Sequence, residues 1–335
     1  MKVESETVIN DNQEKRTEDN HKPCLWIVVP CYNEEEMLPL SMPRLEHLLV
    51  DMTKEGLVSE KSRIVYVDDC SSDATWSIIC RRHEENPLHC GLHLGRNSGH
   101  QNALMAGMET SIGQADCVIT IDADLQDDIN VIPEMVHHYC GGYEIVYGVR
   151  NDRSSDTFFK RSTALGFYRL MNGLGAKTVY NHADFRLMGS QAVRQLMLYR
   201  ERTMFLRGLV PQLGFRSTTV SYDRLRREAG ETKYPFGKML LFAINGITSV
   251  SVKPIRLVFT FGLVFILIGL CVACYAFYSM FMGRNVSGWV SLILSIWFVG
   301  GCILAALGLI GEYIGNIFLD VKQRPRYNIT ETRMA

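Results

Sequence analysis

Ile119-Thr-Ile-Asp-Ala-Asp-Leu-Gln-Asp127 is an apolar stretch that breaks off in three acidic side chains and an amide. The apolar run from Cys117 to Ile121, bounded by polar residues, predicts a buried central strand of a parallel sheet. Open α/β sheets bind ligands outside the carboxyl ends of such strands. Asp122 and Asp124 can converge on one hard divalent cation if the strand gives way to a loop there. Oxygen-only ligation suits Mg2+ or Mn2+, which keep water and substrate phosphate oxygens in their remaining positions. A lone Asp-x-Asp can equally be a pair of solvated loop acids, so its meaning depends on the rest of the chain.

Four more strands are predicted, at Leu25–Pro30, Ile64–Val67, Leu92–Leu94 and Glu144–Tyr147. Helical patterns lie between them, and Ser71, Ser72 or Asp73 can cap the one after the second strand. This alternation predicts an α/β fold with a mostly parallel, doubly wound sheet. Polar clusters follow four of the strands: Tyr32, Asn33 and Glu34; Asp68 and Asp69; Arg96 and Asn97; Asp122 and Asp124. In a parallel sheet all four lie along one edge, which separate solvated loops explain poorly. No G-x-G-x-x-G follows the first strand and no G-x-x-x-x-G-K-S/T occurs anywhere, so neither a dinucleotide cofactor nor a P-loop is indicated.

The chain has 335 residues and a formal net charge of −1, which argues against nucleic acid as a partner. Residues 1–20 are polar and read as a disordered tail without the apolar core of a signal peptide. Ten cysteines lack metal-ligand or disulfide-framework spacing, and the Cys271-x-x-Cys274 pair lies inside an apolar run. All ten read as packing residues of a reducing compartment.

No charged residue occurs from Leu257 to Gly283 or from Val286 to Gly311. As helices rising ~1.5 Å per residue, both runs exceed the ~30 Å hydrocarbon thickness of a bilayer. Gly283-Arg-Asn285 is a polar turn, so the two form a hairpin of membrane spans; core helices of a soluble protein are the rival reading. Lys253 and Arg256 precede the pair, Lys322, Arg324 and Arg326 follow it, and the turn holds only Arg284. The positive-inside rule then places both termini and residues 1–250 in the cytoplasm. Pro235–Val252 has the spacing of an amphipathic helix lying on the membrane, or equally of a core helix. The expected organisation is a polar tail (1–22), a catalytic domain (23–234), an interfacial helix (235–253), two spans (254–320) and a cytoplasmic tail (321–335).

Val28-Val-Pro-Cys-Tyr-Asn-Glu34, Val67-Asp-Asp-Cys-Ser-Ser-Asp-Ala-Thr75, Arg96-Asn-x-Gly and Asp122-Ala-Asp-Leu-Gln-Asp127 occur in that order. As a set they resemble the family 2 inverting glycosyltransferases, whose fold is GT-A. Asp184-Phe-Arg-Leu187 and the two apolar runs narrow the resemblance to polyprenyl-phosphate glycosyltransferases, the bactoprenol glucosyltransferase and dolichol-phosphate mannose synthase group. The similarity runs from about Leu25 to Tyr327. Cys70 departs from it, standing where the family usually carries glycine.

The resemblance implies transfer of one sugar, glucose or a related hexose, from a nucleotide-diphosphate sugar such as UDP-glucose to undecaprenyl phosphate. The expected setting is the bacterial cytoplasmic membrane, and the expected assembly a homo-oligomer, a tetramer in the family. Pro30, Tyr32 and Glu34 would border the nucleotide, with Asn33 and Arg96 on the same rim. Asp69 would accept hydrogen bonds from the base, a role Asp68 could take instead if it does not merely support the turn. Asp122 would approach ribose or metal, while Asp124 and Gln126 would ligate Mg2+ or Mn2+.

Asp184 and Asp124 are the catalytic candidates. Asp184 acts near the acceptor as general base or orienting group, or is a buried partner of Arg186. A phosphate acceptor is already anionic, so orientation matters more than deprotonation. Arg202, Arg207, Arg227 and Lys233 are candidate phosphate and acceptor contacts, because a guanidinium bonds phosphate bidentately; each alone could be a solvated charge. His100 beside Gln101 is either a phosphate contact or structural. Two rivals remain. A processive polysaccharide synthase would carry Q-x-x-R-W and more spans, and a non-catalytic sugar-nucleotide scaffold would have no need of the acids.

Overall fold

The computed structural model describes residues 22–151, 182–199, 201, 205–223, 288–334 and some residues between 255 and 282. The Arg202, Arg227, Lys233, residue 1–20 and Pro235–Val252 expectations lie outside the described residues.

The first half alternates strand and helix as expected. β1 is Leu25–Cys31, α1 Leu38–Lys54, β2 Arg63–Asp68, α2 Thr75–Glu85, β3 His89–Leu94, α3 His100–Thr110 and β4 Cys117–Thr120. A short 3-10 turn leads into α4 (Ile132–Cys140), followed by β5 (Ile145–Arg150). β1 is buried along its whole length, as a central strand covered on both faces must be. Its alternate residues serve two cores. Leu25, Ile27 and Val29 pack with Leu38, Met42, Leu45 and Leu49 of α1, while Trp26 and Val28 pack with Ala103, Leu104 and Ala106 of α3. The two-residue side-chain period of the strand is what divides the molecule into helix, sheet and helix layers.

The second half completes the sheet with β6 (His182–Gly189), α5 (Ser190–Met197), α6 (Leu206–Leu209), β7 (Ser217–Tyr222) and, after the long helix α7 (Trp289–Val321), β8 (Ile329–Arg333). The described strands form one sheet in the order β7-β5-β6-β4-β1-β2-β3-β8. β3, β2, β1 and β4 run parallel, β6 lies antiparallel between β4 and β5, and β8 lies antiparallel on the outer edge of β3. The expected parallel sheet is therefore its centre, and its flanks are mixed. β6 lies outside the expected strands, although Asp184 and Arg186 alternate with Phe185 and Leu187 as in a half-exposed strand. Both faces are nevertheless buried, because the two charged side chains neutralise each other inside.

α7 is one continuous 33-residue helix that runs past Gly311 through Glu312 to Val321. Its stretch Phe298–Val321 is long and apolar enough to cross a membrane, and only 6% of its most apolar window is buried. Every described residue between Ile255 and Phe281 is helical as well.

Candidate active site

The four polar clusters do lie at one edge of the parallel strands, and hydrogen bonds knit them together. After β1, Asn33 adopts φ +54 and its Oδ1 accepts from the Ser72 amide at 2.9 Å. Ser71 Oγ accepts from the Asn33 amide and Thr75 Oγ1 from that of Glu34. Tyr32 stands half exposed on the rim, whereas Pro30 is buried within β1. Asn33 thus joins the first loop to the second, and asparagine tolerates the left-handed region better than most side chains.

After β2, Asp68 is fully buried; its Oδ2 faces His93 Nδ1 at 2.6 Å and its Oδ1 accepts from Ser71. Asp69 holds the third loop, its two oxygens accepting from the amides of Ser98 (2.6 Å) and Gly99 (2.8 Å). Cys70 adopts φ +58. The departure from glycine noted in the sequence therefore falls at a left-handed position. An L side chain there costs roughly 1–2 kcal/mol, part of which is recovered because it restricts the unfolded chain. Cys70→Gly is expected to raise the unfolding free energy by about 1 kcal/mol and Cys70→Val to lower it, read as shifts of the denaturation midpoint in detergent.

β3 delivers His100, and β4 delivers the acids. Gly99, at φ +91, turns the chain so that α3 begins at His100. β4 ends at Thr120, one residue before the expected end; the Leu125 amide then donates to the Asp122 carbonyl (3.2 Å) and Leu125 adopts φ +45. That turn is the break the metal reading required. Asp122 keeps 44% of its side chain open to the cleft, Asp124 is half-buried, and Gln126 is buried, its backbone N–H donating to Asp124 Oδ1 at 3.3 Å. Asp127, not singled out as a site residue in the sequence, anchors the turn from beneath. Its Oδ1 accepts from Arg150 Nε (3.0 Å) and Nη2 (2.8 Å) and from the Tyr222 hydroxyl (2.7 Å).

The decisive juxtaposition comes from β6. Thr120 pairs with Arg186 in antiparallel register, so Asp184, two residues earlier, comes level with Asp122 just beyond the end of β4. The Thr120 hydroxyl donates to the Asp184 carbonyl at 2.5 Å. Asp184 is buried between two guanidiniums. Arg186 Nη2 is 2.6 Å from its Oδ1, and Arg207 makes a fork, Nε to Oδ1 at 3.2 Å and Nη2 to Oδ2 at 3.0 Å. His100 Nε2 completes the group, 3.6 Å from Asp122 Oδ1 and 3.7 Å from Asp184 Oδ2. α6, which carries Arg207, is pinned because its Leu206 amide donates to Gln101 Oε1 (3.2 Å) and Arg186 Nη1 donates to the Leu206 carbonyl (3.4 Å).

Burial, joined by the carboxylates of Asp184, Asp127 and Asp124, pushes the Asp122 carboxyl up to about 6 even though His100 opposes it. Asp184 is held well below the usual carboxylate range, since His100, Arg207 and Arg186 together outweigh its burial. The turn after β4 is thus crowded with negative charge, while the facing wall offers guanidinium. Residues 26–197 match glycosyl transferase family 2, half of the chain. The chain is a family 2 glycosyltransferase.

Residues 253–317 of the transferase match the GtrB C-terminal hairpin, over the two apolar runs. It is 52% identical over 308 residues to the uncharacterized glycosyltransferase YkoT of Bacillus subtilis (strain 168), covering 92% of this chain and 91% of that one. It is 39% identical to the bactoprenol glucosyl transferase of Shigella phage SfX, covering 90% and 97%. Among solved structures it resembles a mannosyltransferase of Pyrobaculum calidifontis in complex with GDP-Man and Mn2+, with a TM-score of 0.44, 13% identity and 94% of each chain covered. The fold of the transferase is the expected GT-A α/β fold with a C-terminal apolar helix.

The donor set suits a hard cation. Asp122 and Asp124 are oxygen ligands on an accessible turn, and the repulsion felt by Asp122 is what a divalent ion would relieve. Among the described residues no three His, Cys, Asp or Glu side chains form a metal cage. Two features were legible only in part. The sequence marks His100 as either a phosphate contact or structural, its place in the third polar loop being the available signal. It marks Arg186 only as a possible partner of Asp184.

Proposed function

We propose that this transferase moves a single hexose, glucose or a close relative, from a UDP-sugar to undecaprenyl phosphate at the cytoplasmic face of the bacterial membrane, with inversion and with Mg2+ or Mn2+. The observation that carries the reading is the pairing of Arg207 with Asp184 opposite the Asp122–Asp124 turn. It sets a fixed cation beside the acids that would hold the donor's diphosphate. Both Asp184 oxygens are engaged by guanidiniums. Asp184 therefore orients Arg207 toward an acceptor phosphate and takes no proton from it, which suits an acceptor that is already anionic.

In this reading Asp122, Asp124 and Gln126 hold the cation, which when bound supplies Lewis-acid stabilisation of the departing diphosphate. Tyr32, Asn33, Glu34 and Arg96 rim the nucleotide, with Pro30, Asp68 and Asp69 supporting them from beneath. Arg202, Arg227 and Lys233 complete the phosphate contacts. The lipid phosphate oxygen attacks the anomeric carbon as its bond to the nucleotide diphosphate breaks, and Arg207 aligns that oxygen.

β8 supports the membrane topology of this reading. Ile329–Arg333 pairs with β3 of the catalytic sheet, and if α7 crosses the bilayer this pairing supports a return of the chain to the side that holds residues 22–223. An even number of crossings must separate them. With α7 as one, the helical run before it is the other, and the Lys and Arg residues at both ends put the site in the cytoplasm. The bactoprenol glucosyl transferase relative supports the lipid acceptor, and a homo-oligomer is part of the same proposal.

The test is a screen of UDP- and GDP-sugars with membranes holding the transferase and undecaprenyl phosphate, reading lipid product by mass. A hexosyl phospholipid formed from a UDP-sugar and lost on adding EDTA is expected. Sugar-nucleotide binding without turnover would defeat the proposal in favour of a scaffold, and polymeric product in favour of a processive synthase.

A further inference from the structure

The segment that follows α7 does more than end the chain. The helix ends at Val321, and Gln323, two residues further on, adopts φ +46 and turns the backbone away from the helix axis. From there it runs across the edge of the site. Arg96 Nη2 donates to the carbonyls of Pro325 (3.3 Å) and Arg326 (3.4 Å). Arg326 donates to the Tyr199 carbonyl, and the Tyr327 hydroxyl to Glu109 near the far end of α3. The Gly95 amide donates to the Asn328 carbonyl at 2.9 Å, and Thr330 Oγ1 to the His93 carbonyl at 3.2 Å. Tyr327, Ile329 and Met334 pack against the apolar core beneath.

These contacts have one target in common. They grip β3, the start of the Gly95–Gly99 loop and the far end of α3, and that loop leads directly into His100, which stands between Asp122 and Asp184. From the inner side the same loop is held by Asp69 on Ser98 and Gly99. The approach is tight: a Cβ on Gly95 would lie 2.7 Å from Thr330 Cγ2.

We infer that Gln323–Arg333 is a strap that ties the membrane anchor to the catalytic loop, and that Gly95, Tyr327 and Thr330 are positioning residues acting through His100 and Arg96. Docking of the strap sets the loop in its working geometry. Movement of α7 in the bilayer is transmitted to the site through Gln323–Tyr327. The inference goes beyond the proposed function, and its activity readout rests on the transfer reaction alone, whichever hexose is moved.

The test begins with the chain ended after Lys322, which retains both apolar runs. It is expected to stay in the membrane fraction and to lose about 10²-fold in kcat, the loss that a displacement of about 1 Å can bring. A synthetic peptide of residues 323–335 restores turnover saturably, and a scrambled peptide does not. Where the shortened chain fails to accumulate, point variants decide. Gly95→Ala lowers kcat in the full chain, and adding Thr330→Ser, which removes Cγ2 and keeps the hydroxyl, brings it back. Amide hydrogen exchange at residues 95–100 rises in Gly95→Ala and falls again in the double variant. A shortened chain as fast as the full one, or a Gly95→Ala loss that Thr330→Ser leaves untouched, overturns the inference. If the full chain itself transfers nothing, the proposed function fails, while hydrogen exchange still decides whether the strap orders the loop.

Discussion

Asparagine at both Asp122 and Asp124 is expected to remove turnover while leaving the fold intact. The two carboxylates supply the negative charge that would hold the divalent ion. One unit-charge contact at ~4 Å is worth about 4 kcal/mol at an effective dielectric near 20, which corresponds to about 10³-fold in rate. Folding should not suffer, because Asp122 is 44% open to the cleft and repelled by its acidic neighbours. An uncharged isostere relieves that repulsion, so the unfolding midpoint stays level or rises, as at other sites where function opposes stability. The measurement is sugar transfer to polyprenyl phosphate, with and without EDTA and with Mg2+ or Mn2+ added back. Wild-type turnover by the double variant in chelator-treated membranes would refute the metal reading.

Asp184→Asn is expected to fail differently, losing both activity and stability. Among the described residues Arg186 is the largest fully buried side chain, and Asp184 is its ion-pair partner at 2.6 Å. Removing one member of a buried pair strands the other's charge, at a cost of about 3–5 kcal/mol. Replacing both members by apolar residues of similar size avoids that cost. The double variant Asp184→Leu/Arg186→Met should therefore regain most of the unfolding free energy lost by Asp184→Asn, yet remain inactive. Arg207, 37% exposed, is then solvated but no longer aimed. Denaturation midpoints in detergent and transfer rates, measured on the same preparations, separate the two effects. Full activity in the stable double variant would show that Asp184 serves packing alone.

Local signals reached far in this chain. The parallel centre of the sheet could be read because its strands are short apolar runs closed by polar residues, a pattern that depends on neighbours in sequence. The same locality exposed the Asp122–Asp124 turn, whereas the glycine-like position of Cys70 was visible only through the family resemblance. Other features depend on partners distant in sequence and left no local trace. β6 looks half-exposed until Arg186 is seen to neutralise Asp184 inside the sheet. β8 is five residues, Ile-Thr-Glu-Thr-Arg, in what reads as a charged tail, and it becomes a strand only because the edge of β3 offers it hydrogen bonds. His100 gained its meaning when the β4–β6 register brought Asp184 level with Asp122.

By itself, then, the order of residues determined an α/β fold with a parallel centre, the edge on which the polar clusters sit, the acids of the turn after β4 and the two apolar runs. Each follows from side-chain periodicity and from the types of residue that end a run, whereas the GT-A class came from the resemblance of the ordered motifs to a family. Only the tertiary structure decided which of those groups meet, that Asp184 spends its charge on Arg186 and Arg207, and that Ile329–Arg333, beyond α7, pairs with β3. The reason is physical: burial and pairing are properties of three-dimensional neighbours, and an antiparallel register can place a carboxylate on one strand beside another that precedes it by dozens of residues.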